Sequence, residues 1–215
     1  MKKVALSALL AATLLSVSSF AGVPDAPQPA TRTSKVADKV YKIQPQLSTL
    51  GWDAKAVTHG HNGTAQFNGG ELVVRGNKLV GGNVTVDMKS LKATDITDAS
   101  NNTKFMGHIN SDDFFSTEKY GTATFKITQV APIKGAAADA NNATITGNLT
   151  IKGITNSISF PAKVGVKGGK AAASGTATVD RTKYNIKYGS KSFFEGIGDK
   201  AIYDEFTLSF NVIAM

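Results

Sequence analysis

The sequence predicts an all-β protein whose strands form an extended antiparallel up-and-down barrel of about eight strands, with one or two short covering helices. Roughly eight to ten segments alternate apolar and polar residues with period two, as half-buried strands do. Gly, Asn and Asp turn signals separate these segments, and one non-alternating stretch at residues 90–110 interrupts them. A meander with a helical interruption is typical of a barrel or a two-sheet sandwich.

The alternating segments extend through the chain beyond residue 40. The clearest of them are residues 84–88, 123–127, 145–151, 154–166 and 206–212. Turn signals lie between such segments at residues 68–70, 81–82 and 168–169. Period two puts alternate side chains on opposite faces, so each segment is predicted to be an antiparallel strand with one buried face.

Residues 90–110 lack this alternation. The stretch 90–99 is expected to be a loop or short helix, and 101–108 a helix that leads into SDDFFSTEKYGTATF, residues 111–125. Asp112 and Asp113 are expected to cap a helix or turn, because adjacent acids share no face of a strand or helix. If the chain is extended there, Phe114 and Phe115 point to opposite sides. At most one of them then needs to line the interior, while the other holds the helix against the barrel.

Small residues occupy many positions that are predicted to face inward. They are Ala123, Gly147, Ala162, Ala171, Ala173, Gly175 and Ala177. An eight-stranded barrel is just wide enough to be filled by side chains or to hold one small ligand, and small inward residues favour the second arrangement. The alternative is that these residues pack against bulky partners across a filled core. The pattern favours a hollow barrel and leaves the filled one open.

The first residues predict export. Residues 1–21 combine Lys2 and Lys3, an apolar run and a small-x-small site ending at Ala21, which together indicate a cleaved signal peptide. Residues 22–38 are Pro-rich and are expected to be a flexible leader, so the barrel domain is expected at 39–215. No later stretch approaches the ~18 apolar residues of a spanning helix, and no Cys could carry a lipid anchor. A periplasmic or secreted protein is therefore expected.

Composition excludes several kinds of site. The chain contains no Cys, which excludes catalytic thiols and thiolate metal sites. Its net charge of +8 falls to about +6 without the two lysines of the signal peptide (8 − 2). The lysines are scattered, with no basic and aromatic groove, so no nucleic-acid partner is expected. The charge suits either a solvated basic surface or transient contact with an anionic membrane surface.

His59 and His61 are the candidates for a metal site. Residues two apart on a strand share a face, so both imidazoles could bind one metal ion. The sequence offers no identifiable third ligand, and hydrogen bonding at a barrel rim is the alternative. No nucleophile motif, catalytic triad order or phosphate loop is present, so we expect neither enzyme activity nor a catalytic cofactor.

Four segments form an ordered set along the chain. They are residues 111–115 with 119–120, then 123–125, 147–155 and 179–186. In this order they resemble the motifs of the YceI-like family of exported polyisoprenoid-binding proteins, and the resemblance extends from residue 41 to about 213. It implies a lipocalin-like barrel with helical cover that holds a long isoprenoid chain, such as a polyprenyl or quinone tail, without catalysis. Relatives of this family are often dimeric, which makes a homodimer a further expectation.

The resemblance also implies which residues bind the ligand. Those implied to lie at or near the cavity are Phe114, Phe115, Phe125, Leu149, Ile151 and Phe160. Asp180, Arg181 and Tyr184 match an acid-Arg-x-x-aromatic motif near the polar end of the ligand. There, Arg181 is expected to hold a polar or anionic head group, and Asp180 to orient it. The other candidates are the aromatics Trp52, Phe67 and Tyr188. The hydroxyls of Tyr184 and Tyr188 suit a rim that is apolar inside and wet outside.

Three functions compete at this point. The first is a non-catalytic carrier, store or sequestering protein for a long isoprenoid or similar lipid. The second is a metal-dependent enzyme built on His59 and His61. The third is a structural or stress-response protein with a filled, ligand-free barrel. Solvent extraction of lipid separates the first from the third, and metal analysis tests the second.

Overall fold

The structure, a computed structural model, describes residues 36–215. The predicted signal peptide and most of the predicted leader lie outside the described residues. The described strands are β1 (Asp38–Lys42), β2 (Thr49–Ala56), β3 (Gly60–Arg75), β4 (Lys78–Ala93), β5 (Thr122–Pro132), β6 (Ala143–Ile151), β7 (Ile154–Lys167), β8 (Lys170–Asp180) and β9 (Ile202–Ala214). Helix α1 is Ala99–Asn110, and 3-10 turns occupy Pro45–Leu47, Arg181–Tyr184 and Gly198–Lys200. None of these described helices has both the length and the apolar character needed to cross a membrane.

Eight of the described strands close a barrel. Strands β2 to β9 each pair antiparallel with the next strand, and β9 returns to pair with β2. Strand β1 pairs with the far end of β3, while Ile43 bridges Ala214 at the end of β9. β1 and β2 therefore act as one strand interrupted near Pro45, whose ring nitrogen cannot donate to a ladder. This architecture confirms the predicted all-β up-and-down barrel.

The prediction of a loop or short helix at residues 90–99 is wrong for residues 90–93, because β4 continues to Ala93. The register between β3 and β4 shifts next to Gln66. The Gln66 N–H donates to Ser90 Oγ at 2.7 Å, and that hydroxyl donates to the Asp87 carbonyl at 2.6 Å. A side chain thus takes the place of a ladder bond at an irregularity of the sheet. The irregularity removes the period-two pattern from the end of the strand.

Helix α1 is confirmed and begins two residues earlier and ends two residues later than 101–108. It begins after Asp98, whose side chain accepts a hydrogen bond from the Asn101 N–H at 2.8 Å. The Asn102 side chain donates to the carbonyls of Ala93 and Ile96 at 3.1 and 2.9 Å. These bonds tie the helix to the end of β4 and place it across one end of the barrel.

The two ends of the barrel differ. One end, the closed base, is sealed by inward side chains that are at most 6% exposed: Ile43, Val74, Leu79, Ala162, Ala171 and Ala214. The other, the mouth end, carries the β2–β3 turn, α1 and the β8–β9 loop at residues 181–201. Alternate connections of an up-and-down barrel lie at the same end, which brings these three together.

Gly63 on β3 is a position where the barrel admits no side chain. A Cβ there would lie 1.8 Å from the Lys92 carbonyl oxygen and 2.6 Å from the ring of Trp52, which packs on this glycine. Gly63→Ala is therefore expected to lower the free energy of unfolding by about 2 kcal/mol, measured by urea denaturation. Gly165→Ala on β7 is the matched control, because its Cβ meets no atom within 4 Å. Equal stability of the two variants would contradict the packing described for Trp52.

Candidate functional site

A cavity of about 400 Å³ lies inside the barrel, between the closed base and the mouth end. Its walls are inward-facing aliphatic and aromatic side chains, among them Leu50, Leu72, Val86, Met88, Ile145 and Leu208. The volume falls in the range of sites that enclose drug-sized molecules. An apolar chain in this cavity would exchange water for hydrocarbon and aromatic surface along most of its length.

The small inward residues have two different roles. Ala123, Ala173 and Ala177 line the cavity, as the hollow-barrel prediction requires. Gly147 and Gly175 instead lie under aromatic rings, as the filled-core alternative requires. A Cβ on Gly147 would lie 2.4 Å from Cζ of Phe125. The remaining two, Ala162 and Ala171, belong to the closed base.

Three rings form a phenylalanine belt inside the barrel: Phe125, Phe160 and Phe210. The ring centroids of Phe125 and Phe160 are 5.5 Å apart, and those of Phe160 and Phe210 are 5.4 Å apart. All three line the cavity. Tilted and edge-to-face contacts at these distances are favourable, so the belt is a pre-formed wall.

The mouth end gathers all three histidines of the chain. The His59 and His61 ring centroids are 5.3 Å apart, and that of His61 lies 4.4 Å from the Phe105 ring on α1. The His108 ring lies 4.5 Å from Tyr188 and 4.9 Å from Phe114. All of these residues line the cavity, so its outer wall is aromatic and can offer polar atoms to a head group.

Carboxylates hold two of the three histidines. His61 Nδ1 lies 2.8 Å from Oδ2 of Asp95, and His108 Nε2 lies 3.1 Å from Oδ2 of Asp113. Burial alone would raise the pKa of Asp95, but hydrogen bonds from His61 and the Asn62 N–H hold that pKa below its ordinary value. Asp95 is therefore a carboxylate at neutral pH, and it orients the His61 ring.

The described residues provide no third ligand for a metal site at His59 and His61. Nδ1 of His59 lies 2.9 Å from the Thr58 hydroxyl, and Nδ1 of His61 is bonded to Asp95. Within residues 36–215, no three His, Cys, Asp or Glu side chains lie together in a group that could hold a metal ion. Both rings form hydrogen bonds at the barrel rim, which was the alternative prediction for this motif.

Ten of the twelve predicted site residues line the cavity. They are Trp52, Phe67, Phe114, Phe115, Phe125, Leu149, Ile151, Phe160, Arg181 and Tyr188. The structure does not bring Asp180 and Tyr184 to the cavity wall. Contact of the ten residues with a ligand stays a prediction, but they surround one continuous space.

Phe114 and Phe115 both line the cavity, which corrects the expectation that one ring would suffice. That expectation assumed an extended chain. The segment after α1 is instead a series of turns, in which the Phe114 N–H donates to the Ser111 carbonyl and the Phe115 N–H to the Ile109 carbonyl. A turning backbone lets adjacent side chains face the same space.

Arg181 is a structural clamp, and the head-group role expected for it is corrected. Its guanidinium donates to four backbone carbonyls at 2.8–3.1 Å, those of Ile186, Tyr188, Ile202 and Tyr203. Its Nη2 also lies 3.5 Å from a carboxylate oxygen of Asp204. Burial lowers the pKa of Arg181, opposed by Asp204 and Asp180. With its donors engaged in the protein, Arg181 holds the β8–β9 loop onto β9 and offers none to a ligand.

Asp180 closes a local turn, so its expected role in orienting a head group is corrected too. Its carboxylate accepts hydrogen bonds from the N–H and the hydroxyl of Thr182, at 2.9 and 2.6 Å. The turn ends at Asn185, whose φ of 59° is left-handed. Asn tolerates this conformation better than most residues with a side chain.

Tyr184 is only 1% exposed, and its hydroxyl finds no hydrogen-bond partner among the described residues. It packs with Met88, Phe114 and Ile186 in the core beside the cavity, so its expected place at a wet rim is corrected. Burial, and secondarily the charge of Asp180, raises the pKa of Tyr184 to about 12.

Ionisation of Tyr184 at alkaline pH is therefore expected to destabilise the fold. A raised pKa in the folded state gives stability that is present below pH 10 and is lost as the pH rises toward 12. The loss is on the order of 2 kcal/mol in free energy of unfolding, measured by urea denaturation across that range. Tyr184→Phe should lack this component and be at least as stable at pH 7, because it removes an unpaired hydroxyl. A parallel alkaline decline in both proteins would contradict the assignment.

Several wall residues were missed by sequence reasoning. They are Met88, Phe105, Ile109, Ile186, Ile202 and Phe206, together with Leu208 and Phe210. For the β9 members a signal existed, since Phe206, Leu208 and Phe210 share the parity of a cleanly alternating strand. The residues on α1 and in the β8–β9 loop carry no such signal, because their packing depends on contacts distant in sequence.

Comparison with known proteins gives the fold and the family. A family model described as the YceI-like domain matches residues 41–214. The solved structure of BcnA from Burkholderia cenocepacia is similar with a TM-score of 0.61 and 23% identity, over 80% of this chain and 99% of that one. A polyisoprenoid binding domain from Saccharophagus degradans is similar with a TM-score of 0.54 and 16% identity, over 81% and 97%. At these identities the structures support the fold alone.

Curated relatives match over a shorter stretch. A UPF0312 protein of Pseudomonas aeruginosa is 35% identical over 86 residues, which are 37% of this chain and 42% of that protein. The matched stretch is thus less than half the length of that relative. The family model is far more extensive. Because it spans well over half of the 215 residues, this chain belongs to the YceI-like family.

Proposed function

We propose that this protein is a non-catalytic binding protein that holds a long isoprenoid or similar lipid chain in its barrel. The observation that carries the proposal is the apolar cavity of about 400 Å³, sealed at the closed base and walled by aromatic side chains toward the mouth end. One similar structure is described as a polyisoprenoid binding domain, which agrees with this ligand class. Among residues 36–215, the side chains that line the cavity include no Ser or Cys.

The driving force is burial of the chain. Each methylene removed from water contributes about 0.8 kcal/mol, offset in part by the ordering of a flexible ligand. The closed base limits the length of chain that the cavity can hold, because a chain that enters from the mouth end cannot pass through the base. We expect affinity to rise with isoprenoid length until the space above the closed base is filled, and then to level off.

The setting we propose is the periplasm or the exterior of the cell. It rests on residues 1–21, whose basic start, apolar run and small-x-small site suit a cleaved signal peptide. There the protein would carry, store or sequester its lipid. Mass spectrometry of the protein from its native host tests the export step, since a mature chain beginning near Gly22 is expected. An intact Met1 terminus would contradict it.

Trp52 provides a direct test of ligand binding. It is the only tryptophan in the sequence and it lines the cavity, so its fluorescence reports on whatever enters. Delipidated protein should show saturable changes in emission with isoprenoid alcohols of graded length, and quenching with isoprenoid quinones. Hydrophilic analogues of the quinone ring, which lack the chain, serve as the control. Equal responses to ring and full quinone, or no response to any chain, would contradict the proposal.

A further inference from the structure

Several large hydrophobic side chains at the mouth end are exposed. Five of them are between 37% and 51% exposed: Val57, Tyr188, Phe193, Phe194 and Tyr203. Val57 belongs to the β2–β3 turn, while Tyr188, Phe193 and Phe194 belong to the β8–β9 loop. Tyr188 and Tyr203 also line the cavity, so the exposed patch is continuous with the cavity wall. We call these five residues the apolar rim.

Backbone hydrogen bonds hold Val57, Phe193 and Phe194 of the apolar rim in place. The Val57 N–H donates to the Ala201 carbonyl at 3.0 Å, which joins the β2–β3 turn to the β8–β9 loop. The N–H groups of Phe193 and Phe194 both donate to the carbonyl of Ser190, a residue with 0% exposure. The backbone is thus anchored to a buried point while two adjacent phenylalanine rings, 47% and 50% exposed, face outward.

Lysines border the apolar rim without partner carboxylates. Lys187, Lys191 and Lys200 in the β8–β9 loop, and Lys55 at the cavity wall, form no ion pair within residues 36–215. Lys187 Nζ lies 4.7 Å above the Phe193 ring. Of the nearby acids, Asp95 is engaged with His61, Asp113 with His108 and Asp204 with Arg181. Asp53 and Glu205 share a surface pocket with Lys55 and Tyr203. The β8–β9 loop thus carries four lysines, of which Lys183 lies 4.0 Å from Asp180, against the two acids Glu195 and Asp199.

We propose that the apolar rim docks the mouth end onto a membrane surface that contains anionic lipid. Phe193 and Phe194 would enter the boundary between head groups and acyl chains, and the bordering lysines would meet the anionic head groups. This rests on the proposed lipid-binding function, to which it adds the site of exchange. Docked in this way, the cavity opens directly against the bilayer, and an apolar chain can pass between the two without crossing water.

A second copy of this chain is the other occupant to consider. A two-fold contact through the apolar rim would bring one rim of net positive charge against another of the same charge. The same lysines are complementary to an anionic membrane. The charge pattern therefore favours the membrane as the occupant.

Vesicle binding tests the proposal. Full-length mature protein is sedimented with vesicles of phosphatidylcholine alone or mixed with phosphatidylglycerol. We expect binding to the mixed vesicles, at least a tenfold loss in the Phe193→Ser/Phe194→Ser variant, and a smaller loss in Lys187→Gln/Lys191→Gln. The matched control is Val40→Ser/Leu47→Ser, which removes two residues of similar exposure, 54% and 52%, outside the apolar rim. The control should bind as the unmodified protein does.

Other outcomes overturn the proposal. These are absence of vesicle binding, equal binding of the Phe193→Ser/Phe194→Ser variant, or a dimer in light scattering that this variant abolishes. Failure of docking can be distinguished from failure of lipid binding, since neither Phe193 nor Phe194 lines the cavity. Trp52 fluorescence with an isoprenoid alcohol in solution should therefore be unchanged in the variant. If the protein took up isoprenoid but did not bind vesicles, that result would contradict the docking proposal and leave the lipid-binding proposal standing.

Discussion

Ala177→Phe is expected to lower the affinity for a long isoprenoid at least about 100-fold while the barrel stays folded. Ala177 lies on β8, is 3% exposed and faces the cavity. A phenyl ring there occupies part of the roughly 400 Å³ that a chain would fill. Displacing about four methylenes of the ligand removes about 3 kcal/mol of binding free energy, which corresponds to this loss.

Thr176→Phe is the matched control for this change. Thr176 is the adjacent residue on β8 and is exposed on the outer face of the barrel, so the same ring there leaves the cavity unchanged. Affinity is measured by Trp52 fluorescence, and thermal unfolding confirms that both variants are folded. If Ala177→Phe bound an isoprenoid as tightly as Thr176→Phe, the ligand would lie elsewhere than in the barrel.

Arg181→Met is expected to lower the free energy of unfolding by about 3–5 kcal/mol. The change leaves buried carbonyls without donors and leaves the Asp204 carboxylate without its cation. Burial alone would raise the pKa of Asp204, but hydrogen bonds from Ser190 and Ser192 and the charge of Arg181 hold it below its ordinary value. Asp204 is therefore charged at neutral pH, and losing its partner is costly.

Lys183→Met is the control, since it removes a cation from the same 3-10 turn. Lys183 is 64% exposed and its Nζ is 4.0 Å from Asp180, so its loss should change stability by at most about 0.5 kcal/mol. Urea denaturation measures both variants, and hydrogen exchange should show faster exchange in the β8–β9 loop of Arg181→Met. A stable Arg181→Lys protein with greatly weakened affinity for charged isoprenoids only would favour the head-group role over the clamp.

The fold could be predicted because its main signal is local. The alternation of Phe206, Leu208 and Phe210 requires only that one face of a strand is buried, and a series of such strands with short turns closes into a barrel. The end of β4 was missed for an equally local reason. At Ser90 a side-chain hydrogen bond replaces a ladder bond, and the alternation that identifies a strand is lost.

The site was harder to predict because its contacts are distant in sequence. The carbonyls to which Arg181 donates come in part from Ile202 and Tyr203 on β9, about twenty residues away. No pattern near Arg181 shows that its donors are already used. Tyr184 was likewise expected at a wet rim from its hydroxyl, whereas its ring is enclosed by residues from several strands. Apolar wall residues were easier, since Leu149, Ile151 and Phe160, which the family resemblance implied, also lie on the inward face of alternating strands.

The most direct test of the central claim is solvent extraction and mass spectrometry of the protein purified from its native host. We expect about one isoprenoid chain per unmodified or Thr176→Phe protein, and substantially less in Ala177→Phe. Extracts of native protein that contain no lipid in stoichiometric amount, together with delipidated protein that takes up no isoprenoid, would contradict the claim that this barrel is a lipid-binding site.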